Sequence, residues 1–387
     1  MNDANSKDDG SKFPLVIASA AKQKGTGGRI IIAGGGTGGH IFPAIAIANA
    51  LKKKDSSIEI LFVGAKGRME MEKVPQAGYK ITGLDIAGFN RSSLIKNIGL
   101  PFKIIRSYFQ ARKIMSEFKP AAVVGVGGYA SFPMLQLAQQ RNIPTVIQEQ
   151  NSFAGKTNMI LGKRAKKVCV AYEGMEKFFP KERIVITGNP VRAAISQSTV
   201  SKAEGLKFFQ LHEGKKTVFV VGGSLGAKAI NEAVDAHLDE LLKAGLQLIW
   251  QTGKPYLPKA RDRAAAKPGV WVSDFITKME DAYAAADIVI SRAGAIAIAE
   301  LCVMRKPTLF VPFPYAAEDH QTVNAMSLVN KNAALIVKDS EAKDKVIPMI
   351  IELARDETKQ TELRNNIGQL AITDADARIA EEILKMI

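Results

Sequence analysis

The apolar positions of this chain fall into short runs separated by helix-length stretches. Residues 29–33 form the first run, followed by the turn Gly34-Gly35-Gly36-Thr37-Gly38-Gly39-His40 and a helical pattern over 41–51. A strand, a glycine turn and a helix in that order open a βαβ unit. Strand-like runs follow at 58–63, 121–126, 144–147, 168–170 and 183–186, with helix-length intervals between several of them. This alternation predicts a parallel sheet covered on both faces by helices.

Around 193–214 the pattern weakens into a polar, lysine-bearing stretch that reads as an interdomain connection. A second series then starts with a strand at 217–221, the turn Gly222-Gly223-Ser224-Leu225-Gly226-Ala227 and a helix over 228–242. Later strands are predicted at 246–250, 270–272, 288–290, 308–311 and 334–337. The repetition predicts an α/β fold of two doubly wound, Rossmann-like domains facing each other across a cleft. The first domain is placed at 29–192, the connection at 193–214 and the second domain at 215–358. A charged amphipathic segment, 359–387, is broken at Gly368 and Thr373 and can pack back across the first domain. Residues 1–28 read as a flexible extension.

At 387 residues the chain is long enough for two cores, and its 47% hydrophobic content is that of a globular protein. Cys169 and Cys302 sit in apolar runs without metal-ligand spacing and read as buried hydrophobes in a reducing compartment. No apolar run is long enough to span a bilayer, and the first 28 residues, with Pro14 and several charges, make a poor signal peptide, so a cytoplasmic location is expected. Lys and Arg number 53 against 38 Asp and Glu, a formal charge of +15. That excess favours an anionic partner, whether nucleic acid, anionic lipid or a multiply phosphorylated substrate, without choosing among them.

The glycine turns narrow the choice. Glycine permits close backbone approach, and the helix that follows presents unpaired N–H groups to an anion. Three such turns, at 34–39, 125–128 and 222–226, predict two phosphorylated ligands or one long ligand spanning the cleft. A P-loop would need Lys and Ser or Thr where His40-Ile41 stands. A dinucleotide dehydrogenase would carry an acidic residue where the second strand runs into Gly64-Ala65-Lys66.

His40, at the junction of turn and helix, has two readings: a base kept neutral by the helix N-terminus, or a residue packing at the helix start. In the second half, Arg292-Ala293-Gly294-Ala295 leads into an apolar helix carrying Glu300. A carboxylate there needs pairing or hydrogen-bond donors, and ribose hydroxyls are suitable. Residues Glu318-Asp319-His320-Gln321 with Asn324 read either as further nucleotide contacts or as a capped helix start. Over 88–119, seven basic residues stand against one acidic residue, with apolar side chains interleaved. Leu94, Ile95, Lys96, Ile98, Phe102, Lys103 and Arg106 form a candidate patch for an anionic membrane surface, the alternative being an ordinary basic solvated face.

The set GGGTGGHIFP (34–43), GVGGYASFP (125–133), EQNSFAGKTN (149–158), TGNPVR (187–192), GGSLGA (222–227), SRAGAIAIAE (291–300) and VPFP with the downstream HQTVNA resembles glycosyltransferase family 28, the bacterial N-acetylglucosaminyltransferases of the peptidoglycan pathway. The match runs in order, at natural spacing, from residue 29 to the C-terminus. The resemblance implies the GT-B fold and transfer of N-acetylglucosamine from UDP-N-acetylglucosamine to the C4 hydroxyl of undecaprenyl-pyrophosphoryl-N-acetylmuramoyl-pentapeptide, with inversion. It also implies a peripheral location at the cytoplasmic face of the bacterial inner membrane, and no tightly bound cofactor or metal.

Carried over to this sequence, it implies donor contacts at Thr37, Gly38, Gly39, Asn151, Arg192, Ser224, Ile276 beside the uracil, Ala295, Ile296, Ala297, Ile298, Ala299, Glu300 and Gln321. Glu300 would hold the ribose hydroxyls and His40 would be the base. Gly35, Gly36, Gly127, Gly128 and Tyr129 would take the acceptor's pyrophosphate, while helix-terminal N–H groups and Arg192 would receive charge on the leaving diphosphate. Three departures stand out: Leu225 where the family has Gln, Ala293 and Ala297 where it has hydroxyl residues, and His320-Gln321 in place of a Gln pair. They predict altered donor affinity rather than a different reaction. Nucleic-acid binding explains the charge but not the three turns, His40 or Glu300. A GT-B transferase with another lipid or natural-product acceptor is the alternative within enzymes.

Overall fold

The computed structural model describes residues 28–87 and 100–387. The first half runs β1 (Arg29–Ala33), α1 (Gly38–Lys54), β2 (Glu59–Ala65), α2 (Glu70–Gln76), β3 (Lys80–Leu84), α3 (Leu100–Phe118), β4 (Ala122–Gly125), α4 (Ser131–Gln140), β5 (Thr145–Glu149), α5 (Lys156–Gly162), β6 (Lys167–Val170) and β7 (Ile184–Ile186). The second runs α6 (Ala193–Ser196), α7 (Lys202–Phe208), β8 (Thr217–Val221), α8 (Lys228–Lys243), β9 (Gln247–Gln251), α9 (Leu257–Ala264), β10 (Val270–Ser273), α10 (Met279–Ala285), β11 (Ile288–Ser291), α11 (Ala295–Val303), β12 (Thr308–Phe310), α12 (His320–Val329), β13 (Leu335–Ile336) and α13 (Ala342–Arg355). Two further helices, α14 (Glu357–Gln369) and α15 (Ala375–Leu384), end the chain.

The strands form two parallel sheets, ordered β3-β2-β1-β4-β5-β6-β7 and β10-β9-β8-β11-β12-β13. Strand order reverses between β1 and β4 in the first sheet and between β8 and β11 in the second. Ligands of open α/β sheets bind outside the carboxyl ends of strands at such switch points. The three glycine turns follow β1, β4 and β8, and the start of α11 follows β11, so each switch point carries two anion-competent loops. Fully buried neighbours such as Ile30 and Ile31 in β1, and Val218 and Phe219 in β8, anchor cores on the two faces of each sheet.

Three features depart from the sequence reading. β3 went unread because it is an edge strand of mixed burial, KITGL, interrupted by Gly83. The stretch 193–214 is not a plain connection: α6 and α7 lie in it and cover the second domain. Ser201 and Glu204 form a reciprocal capping box at the start of α7. Leu206 and Phe209 are buried in the second-domain core, and a Cβ added at Gly205 would stand 2.6 Å from the Asp281 carbonyl. Finally, α1 begins at Gly38 rather than at residue 41, which places Gly38 and Gly39 in its first turn.

The C-terminal segment divides between the domains. Leu363 and Ile367 of α14 pack into the second-domain cores, whereas Ile379, Ala380 and Ile383 of α15 pack with α1 on the first. A Lys54–Glu381 ion pair of 2.7 Å borders that contact. The chain therefore crosses between domains twice, after β7 and after α14. The crossings touch, since a Cβ added at Gly188 would stand 2.8 Å from Ile372. Among the described residues no helix is long and apolar enough to cross a membrane.

Candidate active site

A cavity of about 940 Å³ opens between the carboxyl ends of the two sheets. Thr37, Gly38 and Gly39 line it from the first domain and Arg192 from the first crossing, while Ser224, Ile276, Ile296, Ala297, Glu300 and Gln321 line it from the second. Helical geometry splits the predicted run 295–300. Positions 296, 297 and 300 of α11 face this cavity, whereas Ala295, Ile298 and Ala299 face a second one behind the helix. Asn151 is also elsewhere, at the domain junction, where its Oδ1 accepts from Asn324 Nδ2 at 3.3 Å. The Asn324 Oδ1 accepts from Ser152 N and Oγ at 3.0 and 2.7 Å, so Asn324 joins the domains rather than contacting the cavity.

The first two glycine turns support each other. The Gly35 amide donates to the Gly127 carbonyl at 3.1 Å, and any Cβ at Gly128 would stand 2.4 Å from the Gly35 carbonyl oxygen. Glu70, 2% exposed, lies beneath them and accepts from Gly36 N at 2.8 Å and Ala65 N at 2.9 Å. The amides of Gly35 and Gly36 are thereby occupied within the protein, which removes them as pyrophosphate donors in this conformation. Those of Gly38, Gly39, Gly127, Gly128 and Tyr129 have no partner among the described residues and remain for an anion. Across the cleft, Gln251 stays buried while its Nε2 donates to the Gly223 carbonyl at 3.0 Å and its Oε1 accepts from Ile276 N at 2.9 Å. That side chain fixes the third turn relative to Ile276.

His40 Nδ1 lies 2.9 Å from the Gly35 carbonyl. As that oxygen can only accept, a neutral imidazole donates from Nδ1 and keeps Nε2 proton-free. Nε2 points at the second turn, where a Cβ on Gly127 would stand 2.7 Å away. The imidazole pKa is lowered chiefly by desolvation, opposed by the Gly35 hydrogen bond and the charges of Glu149 and Glu70. Burial thus favours the neutral ring. If Nε2 serves as a base, kcat/KM should stay level as pH falls through 6.5, the ordinary histidine value, and decline only below it, which a pH–rate profile will test.

Glu300 is 4% exposed. Arg192 Nε donates to Oε1 at 2.8 Å, its Nη2 lies at ion-pair distance, 2.8 Å, from the same oxygen, and Tyr283 Oη donates to Oε2 at 3.1 Å. Desolvation raises the carboxyl pKa and the Arg192 charge opposes it. Arg192 also lies over the Phe42 ring of α1, 5.4 Å from its centroid. Two of its nitrogens are thus turned to Glu300, which leaves Nη1 as the Arg192 group available to the leaving diphosphate. The amides of Ser224 and Leu225 and the N-terminus of α11 remain for that role. Oε2 has a lone pair left for a ribose hydroxyl.

Tyr283 was missed in the sequence because AYAAAD reads as helix core. Its hydroxyl has one partner, and hydrogen bonds to charged groups contribute about 1.5–3 kcal/mol. Tyr283→Phe should therefore raise the donor KM about tenfold with little change in kcat, a split that steady-state kinetics resolves.

Gln321 and Arg292 are partly structural. The Gln321 Oε1 accepts from Phe313 N at 2.9 Å, holding the 312–315 loop, and its amide NH2 is left for a ligand. Arg292 Nη1 donates to the carbonyls of Val311 and Pro312 and pairs with Asp339 at 2.5 Å. Thr322 Oγ1 donates to Asp319 Oδ1 at 2.7 Å, but Asp319, at the N-cap position of α12, makes no side-chain capping bond to the helix backbone. Among the described residues, no group of three or more His, Cys, Asp or Glu is arranged to hold a metal ion.

On α3, Phe102, Ile105 and Phe109 form an exposed stripe at helical spacing, 57–76% accessible, with Lys103, Arg106 and Lys113 beside it. Leu94, Ile95, Lys96 and Ile98 lie outside the described residues.

Models of the glycosyltransferase family 28 N-terminal and C-terminal domains match residues 30–170 and 217–382. A Phocaeicola vulgatus protein named UDP-N-acetylglucosamine--N-acetylmuramyl-(pentapeptide) pyrophosphoryl-undecaprenol N-acetylglucosamine transferase is 53% identical, over 92% of this chain and 96% of its own. A Parabacteroides distasonis protein of the same name is also 53% identical, over 93% and 98%. The crystal structure of Acinetobacter baumannii MurG superposes with a TM-score of 0.76 at 31% identity, covering 92% of this chain and 99% of that one.

Proposed function

The chain belongs to glycosyltransferase family 28, and from that premise we propose that its cleft joins two sugars on a lipid carrier. The enzyme transfers N-acetylglucosamine from UDP-N-acetylglucosamine to the C4 hydroxyl of undecaprenyl-pyrophosphoryl-N-acetylmuramoyl-pentapeptide, in peptidoglycan synthesis. Its two-domain GT-B architecture divides the task, with the acceptor on the first domain and the nucleotide sugar on the second.

One observation carries this reading: unpartnered amides face each other across the cleft, with a neutral imidazole on one wall and a carboxylate able to accept ribose hydroxyls on the other. In the proposed step, the acceptor C4 oxygen attacks the anomeric carbon and its proton passes to His40 Nε2. The bond from that carbon to the diphosphate oxygen breaks, and its electron pair leaves with UDP. Amides at Ser224 and Leu225 and at the N-terminus of α11 receive the developing charge. Direct displacement inverts the anomeric centre. Gly127, Gly128 and Tyr129 hold the acceptor pyrophosphate, and the Glu300–Tyr283–Arg192 cluster orients the donor ribose.

The α3 stripe docks the enzyme on the cytoplasmic face of the plasma membrane, where its acceptor resides. Burying a phenylalanine contributes about 1.5–3 kcal/mol. The double variant F102S/F109S should therefore bind vesicles containing phosphatidylglycerol at least about tenfold more weakly in sedimentation, with UDP affinity unchanged. The activity is tested by transfer of labelled sugar from UDP-N-acetylglucosamine to the muramoyl-pentapeptide lipid in detergent. Lipid-linked disaccharide supports the assignment, whereas UDP-sugar binding without transfer would move the acceptor to another lipid or natural product.

A further inference from the structure

The cavity behind α11 plays no part in the transfer just described. It encloses about 590 Å³ between the domains, a size and position typical of small-molecule sites. Ala295, Ile298, Ala299 and Cys302 of α11 form an apolar wall. Gly188 and Ile372, one from each chain crossing, also line it. Lys177 and Lys331, both exposed, stand against Glu173 and give this lining a positive balance. Tyr172 lines the same space. Burial raises its phenol pKa, and its hydroxyl has no hydrogen-bond partner among the described residues.

We propose that this cavity is an effector site for a small amphipathic anion, with a compact apolar body and one acidic group. The small side chains of α11 accommodate the body, the Tyr172 hydroxyl is available to it, and Lys177 and Lys331 attract the acid. Occupancy is coupled to the donor site through two physical links. The first is α11 itself, whose opposite face carries Ile296, Ala297 and Glu300, so any displacement of the helix moves Glu300. The second is the pair of crossings, about which the cleft must open and close. A ligand whose affinity depends on the position of either element changes donor affinity, and the donor changes its affinity by the same factor.

The probe for the test is 1-anilinonaphthalene-8-sulfonate, which has an aromatic body and one sulfonate. Fluorescence titration of the full chain measures its binding, and calorimetry measures UDP binding with and without saturating probe. Two variants separate this cavity from the exposed α3 stripe: Ile186→Trp, which fills the cavity from β7, and Lys331→Glu, which reverses a surface charge. We expect Ile186→Trp to weaken the probe at least about tenfold and Lys331→Glu several-fold, both retaining UDP affinity in its absence. In the natural chain, saturating probe should shift the UDP Kd several-fold, with the reciprocal shift in probe Kd. A probe isotherm unchanged in both variants would overturn the site. Probe binding that responds to the variants but leaves the UDP Kd unmoved would overturn the effector role.

Discussion

His40→Ala should lower kcat by about 10²–10⁴-fold, the usual contribution of a positioned general base, while leaving UDP affinity nearly unchanged. The ring is anchored by Gly35 through Nδ1 and directs Nε2 toward the second turn, so its removal takes away the proton acceptor without disturbing the nucleotide side. Single-turnover transfer combined with UDP calorimetry separates the two effects. Gly127→Ala provides a second route to the same group. That position has φ of +95° and no room beside Nε2, so the added methyl should displace His40 and reduce kcat with the imidazole still present. Wild-type turnover in His40→Ala would return the residue to a packing role.

Glu300→Ala should raise the donor KM by about two orders of magnitude. A ribose hydroxyl donating to a carboxylate contributes about 1.5–3 kcal/mol, and the Arg192 side chain, 31% exposed, can rehydrate when its partner is removed. The loss should appear in KM rather than kcat, because Glu300 orients the ribose and does not touch the reacting bond. A cycle of Glu300→Ala, Arg192→Ala and the double variant checks the pairing. Strong non-additivity supports an orienting pair, while additive losses would mean that Arg192 acts on the diphosphate independently.

Much of the fold was legible because parallel strands buried on both faces are short and almost wholly apolar. β1 and β8 were read to the residue, and the turns after β1, β4 and β8 were visible as glycine clusters. β3 was hidden by its half-exposed edge position. α7 was hidden by polar composition, although its Ser201-x-x-Glu204 box was written in the sequence. In the site, motif residues next to the turns reached the cleft. The side chains of Ala295, Ile298 and Ala299 did not, because a run of neighbours on a helix cannot all face one way. Glu70, Gln251 and Tyr283 act from other elements, so only three-dimensional proximity reveals them. The partnership of Arg192 with Glu300 spans 108 positions, and neither local motif announces it.

The double crossing of the chain has a mechanical consequence. Two bodies joined by one strand can swivel, twist and bend, but two adjacent strands act like a pair of pins in a door. With the links after β7 and after α14 in contact at Gly188 and Ile372, and α15 clasped to α1, the easiest relative motion is rotation about the line through those pins. Torsion that would slide His40 sideways past the nucleotide wall is resisted. Rotation about such a hinge would return the imidazole to the same alignment on each closure. A chain cut before α15 would lose one pin, and with it the reproducibility of the stroke.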